Sequence, residues 1–200
     1  MTTAQQIAAR YRVELGGPLP IRLPAARAEL PALCRALGVQ TGAEVGVWKG
    51  AYSELFCRAG VTWTAIDPWA PYAAYREKKN DHVLTEMAYA EARRRLAPYD
   101  CTLLRMDSRA AAARVPDGSL GVCYIDGNHE APFVREDLEL WTAKVKPGGL
   151  LAGHDYRVPP ASKPFIQVKQ AVDAFVAERG IAPWFLLTRD ATPSFLWVVS

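Results

Sequence analysis

Two short stretches, Ile125-Asp126-Gly127-Asn128-His129 and Gly153-His154-Asp155-Tyr156, bring together two carboxylates and two imidazoles. Two of the three histidines in the 200-residue chain lie there. Carboxylate and imidazole move protons near neutral pH and ligate divalent ions. Each stretch follows an apolar run, 121–125 and 150–153, of the kind expected for a buried parallel strand. If these strands are neighbours, Asp126, His129, His154 and Asp155 converge above the carboxyl edge of one sheet. Turns at strand ends also attract Asp and Gly for backbone reasons alone, and that reading stands beside the chemical one.

A second constellation lies upstream. Residues 42–67 read as a strand, a glycine-bearing turn, a helix and a second strand ending in Asp67. Gly46 and Gly50 let the backbone pass close to a ligand. The helix start offers free N–H groups to an anion, and Asp67 stands where a ribose hydroxyl would be bound. The spacing Glu44-x-Gly46-x-x-x-Gly50 departs from the dinucleotide fingerprint G-x-G-x-x-G. A tight turn with no ligand is the bland alternative.

The elements that hold these residues can be read from periodicity. Two helices are expected in residues 1–38, split by Gly16-Gly17-Pro18-Leu19-Pro20, forming a helical cap ahead of a main domain over 39–200. Strands are expected near 42–47, 62–67, 101–106, 121–125 and 150–153. Helices are expected near 51–59, 83–96, 132–144 and 165–179. Val134, Leu138, Trp141 and Val145 share one apolar helical face. The segment 69–82, with Trp69, Tyr72 and Tyr75, is longer than a connection requires; its aromatics would stack on a substrate or cover the sheet. The last two apolar runs, 184–187 and 194–199, read as an antiparallel hairpin. Alternating strands and helices imply an α/β fold: a doubly wound, Rossmann-like, seven-stranded sheet, parallel except for that hairpin.

Composition narrows the classes. Hydrophobic residues make up 50% and charged residues 22%, which suits one globular domain. A net charge of +3 without a dense basic patch argues against nucleic acid. The run Arg93-Arg94-Arg95 fits a solvated helix face. No apolar run reaches membrane-spanning length, and the N-terminus lacks a signal-peptide core. The four cysteines form no C-x-x-C pair. A cytoplasmic protein is expected.

Glu44-Val-Gly-Val-Trp-Lys-Gly50 with Ile66-Asp67 resembles motif I and the following acid of the class I S-adenosylmethionine (SAM) methyltransferases. Adding Ile125-Asp-Gly-Asn-His129, Lys146-Pro-Gly-Gly149 and Gly153-His-Asp-Tyr156 makes residues 40–160 similar to the metal-dependent small-molecule O-methyltransferases, including the macrolide sugar enzymes. The resemblance implies SAM as cofactor, with Glu44 and Gly46 at its methionine end, Asp67 on the ribose and Asp107 and Ser108 at the adenine edge. It further implies Asp126 and Asp155 as ligands of a divalent metal, magnesium or manganese, and His129 as general base. His154 departs from the pattern, standing where the family has an acid. As a ligand it shifts preference toward manganese, iron or zinc. Otherwise it hydrogen-bonds a ligand and water completes the site.

The function so implied is methyl transfer from SAM to a hydroxyl of a small molecule, a sugar or other natural product, by a possible homo-oligomer. Three alternatives stand against it: another class of acceptor, a SAM-binding domain without catalysis, and an NAD-dependent oxidoreductase.

Overall fold

The computed structural model describes residues 1–73, 76 and 80–200. Tyr75, one of the aromatics of the long 69–82 segment, lies outside them. The elements run α1 (Thr3–Tyr11), β1 (Ile21–Leu23), a 3-10 turn (Arg27–Glu29), α2 (Leu30–Ala36), β2 (Thr41–Val45), α3 (Ala51–Arg58), β3 (Thr62–Asp67) and α4 (His82–Leu96). They continue with β4 (Cys101–Arg105), α5 (Ser108–Ala112), β5 (Leu120–Ile125), α6 (Ala131–Thr142), β6 (Val145–Gly153), α7 (Val168–Arg179), β7 (Trp184–Leu187) and β8 (Ser194–Val198).

One sheet takes the order β1-β7-β8-β6-β5-β2-β3-β4. The β8 strand is antiparallel to both neighbours, β6 and β7, and the other pairings are parallel. The expected Rossmann-like sheet and closing hairpin are therefore present, with an eighth strand at the edge. That strand is β1, which pairs Ile21–Leu23 with Phe185–Leu187. It is three residues long and sits between Pro20 and Pro24, too short to give an alternating pattern. Its side chains bury at alternate positions, with Leu23 fully enclosed. Residues 1–38 thus join the sheet, and Ile7 of α1 and Leu30 and Leu33 of α2 enter its core.

The central strand β5 is buried along its whole length. Successive side chains point to opposite faces. Val122 and Tyr124 pack with Phe56, Trp63 and Leu30 on one face. Cys123 and Ile125 pack with Leu138, Trp141 and Phe175 on the other. Helix α6 buries Val134, Leu138 and Trp141 as expected, but it ends at Thr142. Val145, expected on the same helical stripe, is the first residue of β6. No helix among the described residues is long and apolar enough to cross a membrane.

Register aligns the functional edge. Val45 pairs with Ile66 on one side and Ile125 on the other, and Ile125 pairs with Gly153. The next residues, Gly46, Asp67, Asp126 and His154, therefore stand in one row past the carboxyl ends of β2, β3, β5 and β6. The chain order reverses direction across β2, the position where doubly wound sheets open a ligand crevice.

Candidate active site

The row borders a cavity of about 980 Å³, at the large end of the range for small-molecule sites. Glu44, Gly46, Asp67, Asp107, Ser108, Asp126, His129, His154 and Asp155 all line it. Gly50, expected beside them, does not line it.

The β5 and β6 ends meet as the sequence suggested. His129 Nε2 lies 3.0 Å from Asp155 Oδ2 and 3.4 Å from Asp126 Oδ1. His154 Nδ1 lies 3.5 Å from Asp155 Oδ2 and 3.9 Å from Asp126 Oδ1. The backbone fixes this convergence: Asp126 N–H donates to Val45 O and His154 N–H to Ile125 O. Asp155 takes a left-handed φ of 54°, a conformation Asp tolerates better than most residues. Each carboxylate also meets an arginine on its other oxygen. Arg27 Nη1 donates to Asp126 Oδ2 at 3.2 Å. Arg157 Nε lies 3.4 Å from Asp155 Oδ1, an ion pair without hydrogen-bond alignment. Burial by itself would raise both carboxyls. The two histidines, joined at Asp126 by Arg27, outweigh it and hold both below the ordinary carboxylate value.

The opposite wall is built from β2, β3 and the start of α5. Asp67 receives the N–H of Trp48 on one oxygen (2.9 Å) and that of Trp69 on the other (2.7 Å). Both tryptophans have positive φ, 50° and 42°, so one carboxylate secures two strained turns. Trp69 is buried against Tyr89 and covers the sheet, whereas Tyr72 lines the cavity. Covering the sheet is thus the role of Trp69.

Gly46 has φ 91°, and a Cβ there would stand 2.1 Å from the carbonyl oxygen of Asp126. A close approach that requires glycine is thus made to the β5 turn. At Gly50, with φ 76°, a Cβ would crowd Leu96 and Ala92 of α4.

Two carboxyls on this wall are almost fully buried. Glu44 accepts from Ser53 Oγ, which itself accepts from Trp63 Nε1 at 3.0 Å. Asp137 accepts from Ser108 Oγ, which accepts from Trp141 Nε1 at 2.7 Å. Burial pushes Glu44 up to about 8 and Asp137 up to about 7, the serine hydrogen bonds offsetting only part of it. Ser108 is thereby engaged behind the wall. Asp107 caps α5 by accepting from Ala110 N–H at 2.8 Å. Asp137 and Arg27 were missed by sequence reasoning. Asp137 did leave a signal, as an acid between Val134 and Leu138 on a helical apolar stripe.

Residues 43–156, more than half of the chain, match the family described as methyltransferase domain. No curated protein matches the sequence. An O-methyltransferase from Bacillus cereus, solved with S-adenosylhomocysteine (SAH), superposes with TM-score 0.65 at 15% identity, covering 99% of this chain and 89% of that one. A proposed caffeoyl-CoA O-methyltransferase from Staphylococcus aureus gives TM-score 0.65 at 15% identity, covering 97% and 90%. The O-methyltransferase TomG from Streptomyces achromogenes, involved in tomaymycin synthesis and solved with SAM, gives 0.62 at 14%, covering 99% and 89%. At these identities the likeness is one of fold.

Proposed function

Because the chain belongs to this methyltransferase domain family, as a SAM-dependent class I methyltransferase, we propose that it methylates a hydroxyl of a small molecule, a sugar or other natural product. The observation that carries this reading is His129, held within 3.4 Å of both Asp126 and Asp155 in the wall of the cavity. The O-methyltransferases among the structural relatives support an oxygen acceptor.

SAM supplies a methyl group already activated by its sulfonium charge. The protein must hold the acceptor oxygen about 3 Å from that methyl and remove its proton, which an aliphatic alcohol does not release freely at neutral pH. Nε2 of His129, beside an ionised carboxylate, carries its own hydrogen. The imidazole accepts the acceptor's proton, while Asp126 and Asp155 stabilise the imidazolium that forms. Asp67, in the cavity wall at the end of β3, binds the ribose hydroxyls, and Asp107 and Ser108 form the adenine edge. Glu44 and Gly46 stand at the methionine end, with Gly50 shaping the turn into α3.

Asp126, His154 and Asp155 each offer one atom within 4.8 Å of the others, and this donor set fits a divalent ion. An imidazole among oxygen ligands favours manganese, iron or zinc over magnesium. Bound there, such an ion would lower the pKa of a nearby hydroxyl. A second, metal-free reading is favoured by Arg27 and Arg157, which already balance the two carboxylates.

His129→Ala separates binding from chemistry. SAM affinity by calorimetry should persist, while turnover falls by about 10²–10⁴-fold. Unchanged turnover removes His129 from the mechanism. Under the metal reading, EDTA abolishes turnover and manganese restores it; a rate indifferent to EDTA leaves the metal-free form.

A further inference from the structure

Arg27 reaches the cavity from the 3-10 turn between β1 and α2. Its backbone is fixed on both sides: the N–H donates to Asp190 Oδ2 at 2.6 Å, and the carbonyl accepts from the Tyr52 hydroxyl at 2.9 Å. Its guanidinium lies over the Tyr52 ring, 4.4 Å from the centroid. Nη1 donates to Asp126 Oδ2, and the other oxygen of that carboxylate lies 3.4 Å from His129. The guanidinium and the proposed base therefore flank one carboxylate from its two sides.

Arginine presents five N–H donors in a planar fork matched to carboxylates. Asp126 engages one of them. Arg157, the second arginine of the site, pairs with Asp155, and Lys163 also lines the cavity.

We infer that the methyl acceptor is a hydroxycarboxylic acid: its hydroxyl meets His129 and its carboxylate is bound by Arg27. This rests on the O-methyl transfer reading above. The bond of Arg27 to the carboxylate that also meets His129 points it to the acceptor; its stacking on Tyr52 of α3 makes the methionyl carboxylate of SAM the competing ligand, which the SAH arm of the experiment separates.

Calorimetry on the full chain saturated with SAH tests this without turnover. The probes are two acid and amide pairs: salicylate with salicylamide, and mandelate with mandelamide. The wild type should prefer the acid in at least one pair by about 10-fold or more, the scale of a charge-assisted hydrogen bond. Arg27→Gln should reduce that preference to within roughly 3-fold while SAH affinity also stays within roughly 3-fold. Arg27→Lys keeps the charge without the fork and should retain part of the preference.

No acid preference in either pair, including no binding by any probe, overturns the inference. So does an Arg27→Gln protein that loses SAH affinity yet keeps the preference, which would give Arg27 to the cofactor. If Arg27→Gln does not fold, the wild-type pairs and Arg27→Lys still decide. Failure of the wild type to bind SAH would instead sink the methyltransferase reading, and this one with it.

Discussion

Glu44 and Asp137 on one wall of the cavity, and Asp126 and Asp155 on the other, are the same chemical group under opposite conditions. The first two are buried, and each meets the protein through a serine that receives a tryptophan N–H. Burial outweighs the serine hydrogen bonds and, at Glu44, the pull of Arg27, so they are held protonated to about pH 8 and about pH 7. The second two each carry an arginine on one oxygen and histidines on the other, and stay ionised. Partners, not residue type, set the charge. The ionised pair suits proton transfer and cation binding. The neutral pair suits a wall that must shape a ligand without repelling it. Neighbouring carboxyls given different charge by their environments are a recurrent device of catalysis.

The sharpest way to break this comparison is to neutralise one acid from each side. Asp126→Asn removes a charge that orients His129 and pairs Arg27. Turnover should fall by about 10²-fold or more, with SAH affinity changed by less than about 3-fold. Asp137→Asn replaces a group that is already neutral at low pH, so its turnover should stay within about 10-fold of wild type. Steady-state kinetics with calorimetry on both variants would decide. Equal losses would mean that the two walls do not differ in the way their charges suggest.

A smaller effect tests the neutral wall by itself. Ser53→Ala and Ser108→Ala each remove an oxygen that both accepts a tryptophan N–H and donates to a buried carboxyl. Each should cost about 1–3 kcal/mol, the penalty for stranding buried polar groups, read as a lowered urea midpoint. Ser119, exposed and with its hydroxyl donating to the Pro116 carbonyl, is the control; Ser119→Ala should stay within about 0.5 kcal/mol. If the three variants unfold together, the tryptophan–serine–carboxyl chains are not holding the wall.

How much of this was legible depended on how local the cause was. The β5 and β6 turns could be read because each follows a run of apolar residues that only a buried parallel strand explains, and neighbouring strands bring their ends together. The Glu44–Gly50 turn and Asp67 were legible for the same reason; the contact of Gly46 with the Asp126 carbonyl, distant in sequence, was not. Arg27 was not legible. Its partner is 99 residues away, and nothing near it in Ala25-Ala26-Arg27-Ala28-Glu29 distinguishes it from a surface arginine. Strand β1 escaped because three residues between two prolines carry no period. Val145 was placed on a helix because its spacing continued the α6 stripe, but Lys144 N–H bonds back to Trp141 O and the chain enters β6.

The mildest expected effect is also the one that separates the two walls by sign. A carboxyl whose pKa is raised on folding keeps a proton that the unfolded chain gives up. Its stabilising contribution is complete below the ordinary carboxyl value and is lost as pH rises through the folded value. For Glu44 that window runs from about 4.5 to about 8, and for Asp137 from about 3.8 to about 7. Asp126 and Asp155, with lowered values, behave in the opposite way. Their contribution is present above about 3.8 and disappears only on further acidification. Between pH 5 and 8, then, the neutral wall alone among these four carboxyls should make the ligand-free protein less stable as pH rises. Glu44→Gln has no proton to lose, so its urea midpoint should fall less steeply with pH than the wild type's, and Glu44→Gln combined with Asp137→Asn less steeply again. If the variants and the wild type follow parallel curves across that range, Glu44 and Asp137 are ionised in the folded chain. The contrast between the two walls would then rest on shape alone.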